Sequence, residues 1–212
     1  MAKPRPRDLP LAPIPPAFLQ RMSALLGGEF DAFAASYNAA PVQGLRANTL
    51  KSRAEALAAR LPFDLTPVPW CPDAFTVEAE GEARPGKHPY HAAGLYYLQD
   101  PAAMVPVELL DPQPGESVLD LAAAPGGKST HIAARLRGDG LLVSNEVIHK
   151  RGWELAGNLE RWGPTNAAIT TETPERLAER WPGFFDAVLL DAPCSGEAMF
   201  RKSETARQAW TP

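Results

Sequence analysis

The stretch "LDLAAAPGGKST", Leu119–Thr130, holds the residue types that let backbone approach a bound nucleotide or nucleoside. Gly127, Lys128 and Ser129 match the end of a phosphate-binding loop, G-x-x-x-x-G-K-[ST], and "AVLLD" with Asp191 matches a magnesium-holding strand. Ala122, however, stands where such a loop opens on glycine. A positive φ there costs a residue with a side chain about 1 kcal/mol or more. Pro125 removes an N–H from a loop whose grip on phosphate depends on consecutive N–H groups. Glu146, nineteen residues past Gly127, suits the hydroxyls of a ribose and would repel a triphosphate. The dinucleotide pattern G-x-G-x-x-G is absent. An adenosyl ligand without a pyrophosphate fits best, its amino-acid end approached closely by the glycines. A P-loop-like nucleotide hydrolase is the alternative.

Cys194 follows Pro193 just past the apolar run "FFDAVLLDAP", in the crevice where thiolates are activated. Cys71 lies in a proline-bounded stretch and is expected to be inert. Two cysteines so far apart do not make a disulfide framework. His88, His91, His131 and His149 are scattered, so no metal site is expected and no histidine is assigned a chemical role.

These residues must be positioned by a scaffold, and its elements can be read from periodicity. From Ser117 onward apolar runs alternate with amphipathic stretches. "SVLDLAA" reads as a buried strand, followed by the glycine turn and a helix through Arg137. "GLLVSNEV" follows, then a helix on which Ile148, Leu155, Leu159 and Trp162 share a face. "NAAITTE" is the third strand, a helix over Pro174–Arg180 comes next, and "FFDAVLLDAP" is the fourth strand. Such βαβ alternation predicts a parallel, Rossmann-like sheet in an α/β fold, with the glycine turn at the ligand crevice. "DAVLLD" is apolar on both faces, and as a last strand it would leave an apolar edge. The expectation is therefore that the native protein continues past this chain.

Upstream, a helical stretch over Ala17–Tyr37 is interrupted or kinked at Gly27-Gly28. "LRANTLK", Leu45–Lys51, reads as a strand, and Ser52 as the N-cap of a helix ending near Leu61. Short strands such as "AFTVEAE" then lie between proline- and glycine-rich turns. The expected organisation is a flexible arm over residues 1–16, a small α+β accessory domain over 17–99, and the N-terminal half of a catalytic domain over 100–212.

With 45% hydrophobic residues the 212-residue chain can build a packed core, and its composition is not that of a disordered one. No run approaches the roughly 20 apolar residues of a membrane span, and the proline- and arginine-rich N-terminus lacks a signal-peptide core, so a cytoplasmic protein is expected. A net charge of −4 argues against a protein that coats nucleic acid, though not against an enzyme with basic groups confined to one groove.

Taken in order, "LRANTLK", "YYLQDPAAM", "LDLAAAPGGKST", "SNE" and "DAPCSGEAMFRK" resemble the Nol/Nop/Sun family of RNA cytosine-5 methyltransferases, and within it the bacterial 16S ribosomal RNA enzymes. That resemblance implies S-adenosyl-L-methionine as cofactor, ribosomal RNA or the small ribosomal subunit as partner, and a monomer. It assigns the cofactor to Ala122, Ala123, Ala124, Pro125, Gly126, Gly127, Lys128, Glu146 and Asp191. Thr173 or Glu172 stands where the family often places an acid for the adenine amine, neither a clean match, and Ala198 replaces the family's usual glycine. Asp191 is implied as the acid on the cytosine ring, with Lys128 near both cofactor and base. In the family's RNA enzymes the attacking cysteine lies in a later Thr-Cys motif, and the cysteine matching Cys194 assists product release. On that basis this chain by itself is expected to be inactive. Arg46, Lys51, Arg201 and Lys202 are candidate backbone contacts for RNA. Tyr96 and Tyr97 could stack on a base or belong to the core. A non-catalytic RNA-binding or assembly factor that keeps the fold is the other alternative.

Overall fold

In a computed structural model of the chain, residues 13–39, 42–77, 84–192, 194, 196–201 and 203–212 are described. They divide into two compact units, one spanning Val42–Ala192 and the other formed by the N-terminal helices and the segment beyond Ala192.

Helix α1 (Pro16–Leu26) and helix α2 (Phe30–Ser36) are separated by a short 3-10 turn over Gly27–Glu29. Gly27 adopts φ +52, so the glycine pair does break the helical stretch. Phe18 packs edge-on against Phe200 and Trp210 of the C-terminal segment, which also contains α9 (Glu204–Ala209). This aromatic cluster is the core of the smaller unit.

The larger unit holds two sheets. The first is antiparallel, built from β1 (Gln43–Ala47), β2 (Leu65–Val68), β3 (Cys71–Val77) and β4 (Tyr96–Gln99) in the order β2-β3-β1-β4. Strand β1 begins two residues earlier than expected and ends at Ala47, because Asn48 starts a turn that returns Lys51 and Ser52 N–H groups to its carbonyl. Ser52 is not a helix cap: helix α3 (Ala54–Ala58) starts after Arg53, without a side-chain cap, and the Ser52 hydroxyl donates to the Arg53 carbonyl instead. The last residues of "AFTVEAE", 78–80, lie outside the described residues.

Helices α4 (Pro89–Ala92) and α5 (Val105–Leu110) flank β4 in the chain and lead to the second sheet. Its strands β5 (Ser117–Asp120), β6 (Leu141–Asn145), β7 (Ala167–Thr170) and β8 (Ala187–Leu189) are all parallel, in the order β7-β6-β5-β8. Helices α6 (Gly127–Leu136), α7 (His149–Trp162) and α8 (Pro174–Arg180) make the crossovers. Local chemistry sets several of these helix bounds. Arg137 and Gly138 at positive φ stop α6, Gly163 at φ +87 stops α7, and Pro174 after the Thr173 cap starts α8.

Leu155, Leu159 and Trp162 of α7 are buried with Val118, Ile132 and Leu142 in the main core. Ile148 does not join them. It precedes the helix in an extended conformation and is half exposed. Strand β8 sits at the sheet edge, where Val188 and Leu190 are at least half exposed. The expected boundary at residue 100 falls between β4 and α5, inside the larger unit.

Candidate active site

The glycine turn leaves β5 at Asp120 and enters α6 at Gly127. The Ala123 amide donates to the Asn145 carbonyl at 2.8 Å, and the Gly126 amide to the Ala123 carbonyl at 2.8 Å. The Ala124–Pro125 peptide is cis. Helix α7 holds the carbonyl side of the turn, with Arg151 donating to Ala124 at 2.7 Å and Asn158 to Pro125 at 2.8 Å. Gly126, at φ +109, lies so close to that helix that a Cβ would sit 3.2 Å from Leu155 Cδ1. With two amides spent inside the fold and none at Pro125, the loop does not offer the run of free N–H groups that cradles phosphate. Ala122, Gly127 and Lys128 are half-buried around it.

Two acids stand buried beside the turn. Asp120 ends β5, with Oδ2 accepting from the Ser129 hydroxyl at 2.7 Å; Ser129 in turn accepts from Ser144 at 2.9 Å. Burial pushes the Asp120 carboxyl up to about 6, against the Ser129 hydroxyl, the Lys128 charge and the Ala122 amide, with the Asp191 charge adding to the rise. Its Oδ1 is buried without a hydrogen-bond partner. Asp120 has no assigned part in the expected site, although an acid closing a buried strand immediately before the turn is visible in "SVLD".

Glu146 follows β6, its Oε1 accepting from the Ile148 amide at 2.9 Å. Oε2 lies 3.2 Å from Arg151 Nη1 but has no hydrogen bond. A buried carboxylate oxygen with open acceptor capacity at a strand's carboxyl end fits a diol such as that of ribose. Asn145 fixes this end of the sheet. Its amide donates to the Leu121 and Glu172 carbonyls, and its oxygen accepts from Thr170 Oγ1 and the Glu172 amide. After β7, Glu172 pairs with Arg176 at 3.1 Å, and the Thr173 hydroxyl is engaged as the cap of α8. Thr173 therefore serves its own helix here.

Lys128, the second residue of α6, reaches across to Asp191 beyond β8 and forms an ion pair at 2.5 Å. The lysine is mostly buried, and the aspartate is exposed. Cys194, three residues further along, is exposed and belongs to the smaller unit. So does Arg201, whose guanidinium donates to the Ala39 carbonyl at 3.2 Å. Lys202 lies outside the described residues.

Arg46 does not present itself to RNA. It is fully buried, donates to the Gly127 carbonyl at 3.0 Å and to Thr130 Oγ1 at 2.8 Å, and lies over the Trp162 ring. Lys51 spends its ammonium on the Ala93 and Arg161 carbonyls, at 2.9 and 2.7 Å. Its pKa is lowered by desolvation and by the Arg161 charge. Tyr96 and Tyr97 are both buried, so they are core residues.

Cys71 is fully buried, and burial pushes its thiol up to about 12, in keeping with an inert cysteine. It has partners: its sulfur lies 3.9 Å from His131 Nε2, and that nitrogen is 2.9 Å from Glu108 Oε1. One atom from each of the three lies within 4.8 Å of the others, a set that could ligate a metal. Glu108 is already ion-paired with Arg135, and the Arg46 charge helps to lower the pKa of His131. With two guanidinium groups acting on the set, we treat it as a buried polar network.

A parallel sheet with a glycine turn after its first strand, buried acids at the ends of β5 and β6, and no phosphate cradle defines the sheet of a Rossmann-like methyltransferase. Residues 14–101 match the N-terminal domain of 16S rRNA methyltransferase RsmF, and residues 107–212 match 16S rRNA methyltransferase RsmB/F. The chain belongs to the RsmB/F family of 16S rRNA methyltransferases. It is 42% identical over 208 residues to ribosomal RNA small subunit methyltransferase F of Klebsiella pneumoniae, covering 93% of this chain and 43% of that protein. The protein of the same description from Vibrio campbellii is 41% identical over 206 residues, with the same coverage of both. The chain thus spans less than half the length of these curated relatives. A methyltransferase homolog protein from Pyrococcus horikoshii superposes with a TM-score of 0.79 at 33% identity, covering 88% of this chain and 62% of that one. Among the described residues no helix is long and apolar enough to cross a membrane.

Proposed function

We propose that the chain takes part in S-adenosylmethionine-dependent methylation of carbon 5 of specific cytosines in 16S ribosomal RNA. The observation that carries this is the Lys128–Asp191 ion pair, which joins the glycine turn to the acid that follows β8 within the larger unit of a chain of this family. Residues Ala122–Lys128 hold the amino-acid end of the cofactor, and Glu146 accepts from its ribose hydroxyls. Asp120 Oδ1 and Glu146 Oε2, neither of which accepts a hydrogen bond, supply acceptors that such a ligand's donors would satisfy. When bound, S-adenosylmethionine supplies an electrophilic methyl group.

Carbon 5 of cytosine becomes nucleophilic only after a thiolate adds at carbon 6, which splits one hard step into easier ones. The Asp191 carboxylate accepts from the exocyclic amine of the ring, and Lys128 orients that carboxylate from the turn. Cys194 assists release once the carbon 5 proton has left. The attack itself belongs to the family's Thr-Cys cysteine, which neither Cys71 nor Cys194 supplies. The protein acts as a monomer in the cytoplasm, on ribosomal RNA or the small subunit.

Titration calorimetry of the 212-residue chain is expected to show S-adenosylmethionine binding and no heat with ATP plus magnesium. Binding of ATP alone would replace this reading with nucleotide hydrolysis. Mapping 5-methylcytosine in ribosomal RNA from cells with and without the gene is expected to show lost sites in its absence. An unchanged map would mean an RNA-binding or assembly role.

A further inference from the structure

The segment from Arg46 to Lys51 grips the parallel-sheet helices at two points. At one, Asn48 Nδ2 donates to the Gly94 and Trp162 carbonyls, both at 2.8 Å, and Lys51 donates to Arg161. These bonds satisfy carbonyls in the last turn of α7 and dock the antiparallel sheet there. At the other, Arg46 reaches the first turn of α6.

The second grip is costly if stability is its only result. Arg46 is fully buried, and its Nε and Nη1 have no hydrogen-bond partner. Among the described residues no carboxylate lies within ion-pairing distance of it. Its charge also sits beside a helix N-terminus, where the helix dipole opposes a cation. A buried charge with so few partners is commonly replaceable by apolar side chains without loss of stability. What this one does achieve is local: a single nitrogen, Nη2, binds the Gly127 carbonyl and the Thr130 hydroxyl, with a longer contact of 3.5 Å to Gln99 Oε1, and the Thr130 hydroxyl is itself 3.1 Å from the Gly127 carbonyl. The first turn of α6 is thereby fixed from behind. A positive charge is also held next to the loop that would face the carboxylate of an amino-acid ligand.

We infer that Arg46 is a positioning residue for the glycine turn, and that through it the antiparallel sheet sets the turn's affinity for the amino-acid end of the cofactor. The affinity part rests on the cofactor assignment above; the positioning part does not. Two measurements keep them distinguishable. In the ligand-free chain, Arg46→Met is expected to speed hydrogen exchange at the Gly126 and Thr130 amides by about tenfold or more, as loss of a charge-assisted hydrogen bond predicts. The Leu142 amide, bonded to the Asn166 carbonyl inside the sheet, should keep its rate. Arg46→Lys retains the charge without the planar fork, should fall between, and serves alone if the methionine variant does not fold.

In calorimetry, Arg46→Met should weaken S-adenosylmethionine about tenfold while leaving 5′-methylthioadenosine, which lacks the amino-acid arm, unchanged. Equal acceleration at Leu142 and the turn, or none at either, would overturn the positioning role. Equal weakening of both ligands would overturn its link to the amino-acid end. If the unaltered chain binds no S-adenosylmethionine, the cofactor assignment fails and the exchange result still decides Arg46.

Discussion

Replacing Gly94 by alanine is expected to cost the chain about 4 kcal/mol of stability, read as a lowered denaturant midpoint. Gly94 adopts φ +68, a conformation that already costs a side-chain-bearing residue about 1 kcal/mol. The larger cost is collision. A Cβ there would lie 2.1 Å from the Arg161 carbonyl oxygen and 2.9 Å from its carbon. Backbone can yield to such a contact only by moving, and both sides are pinned. The Gly94 carbonyl accepts from Asn48, and the Arg161 carbonyl accepts from Lys51. Arg161 is fixed further by donating to the His91 carbonyl and to Asn158 Oδ1. Relief would require undocking the antiparallel sheet from α7. Gly157→Ala, on the same helix with open space around its Cβ position, is the control and should be neutral or slightly stabilising. Equal midpoints for the two variants would show that this docking is not tight.

The same junction explains what could and could not be read from the chain. Elements set by neighbours in sequence were legible. The helix over Pro174–Arg180 needs only its Thr173 cap and an N-terminal proline, and the break at Gly27-Gly28 needs only glycine. The acid after β6 was legible as well, because parallel topology alone puts the strand's carboxyl end at the crevice. Arg46 was not. A basic residue in a short alternating strand has the pattern of a solvated face, and its burial depends on a carbonyl 81 residues away. Cys71 and His131 are 60 residues apart, and no spacing rule joins them to each other or to Glu108. Ile148 has the right period for the α7 face, but the helix begins one residue later and leaves it extended. In each case the deciding contact is long-range, and periodicity carries no information about it.

Two buried titrating groups in the larger unit should contribute opposing pH dependences of stability between about 4 and 6.5, each largely offsetting the other. Burial raises the Asp120 carboxyl from its ordinary 3.8 to about 6. The folded chain therefore holds that proton after the unfolded chain has lost it, and stability falls as pH rises through this window. Burial, reinforced by the Arg46 charge and opposed by Glu108, lowers His131 from its ordinary 6.5 to about 4. Here the unfolded chain takes up the proton first as pH falls, so stability rises with pH across the same window. Each shift is worth about 3 kcal/mol at full effect, with opposite sign. Single substitutions should separate them. His131→Gln keeps a donor for Glu108 and leaves the Asp120 slope, so this variant should lose about 3 kcal/mol between pH 4 and 6.5. Asp120→Asn keeps an acceptor for Ser129 and leaves the His131 slope, so it should gain a similar amount. Asp73, raised chiefly by burial, contributes to both variants alike. Glu108 also does, held low despite its burial by hydrogen bonds from His131 and Cys71 and by charge, although the histidine bond differs in one variant. Denaturant titrations at a series of pH values test this directly. Slopes of the same sign in the two variants would mean that burial does not disfavour the charged form at both sites.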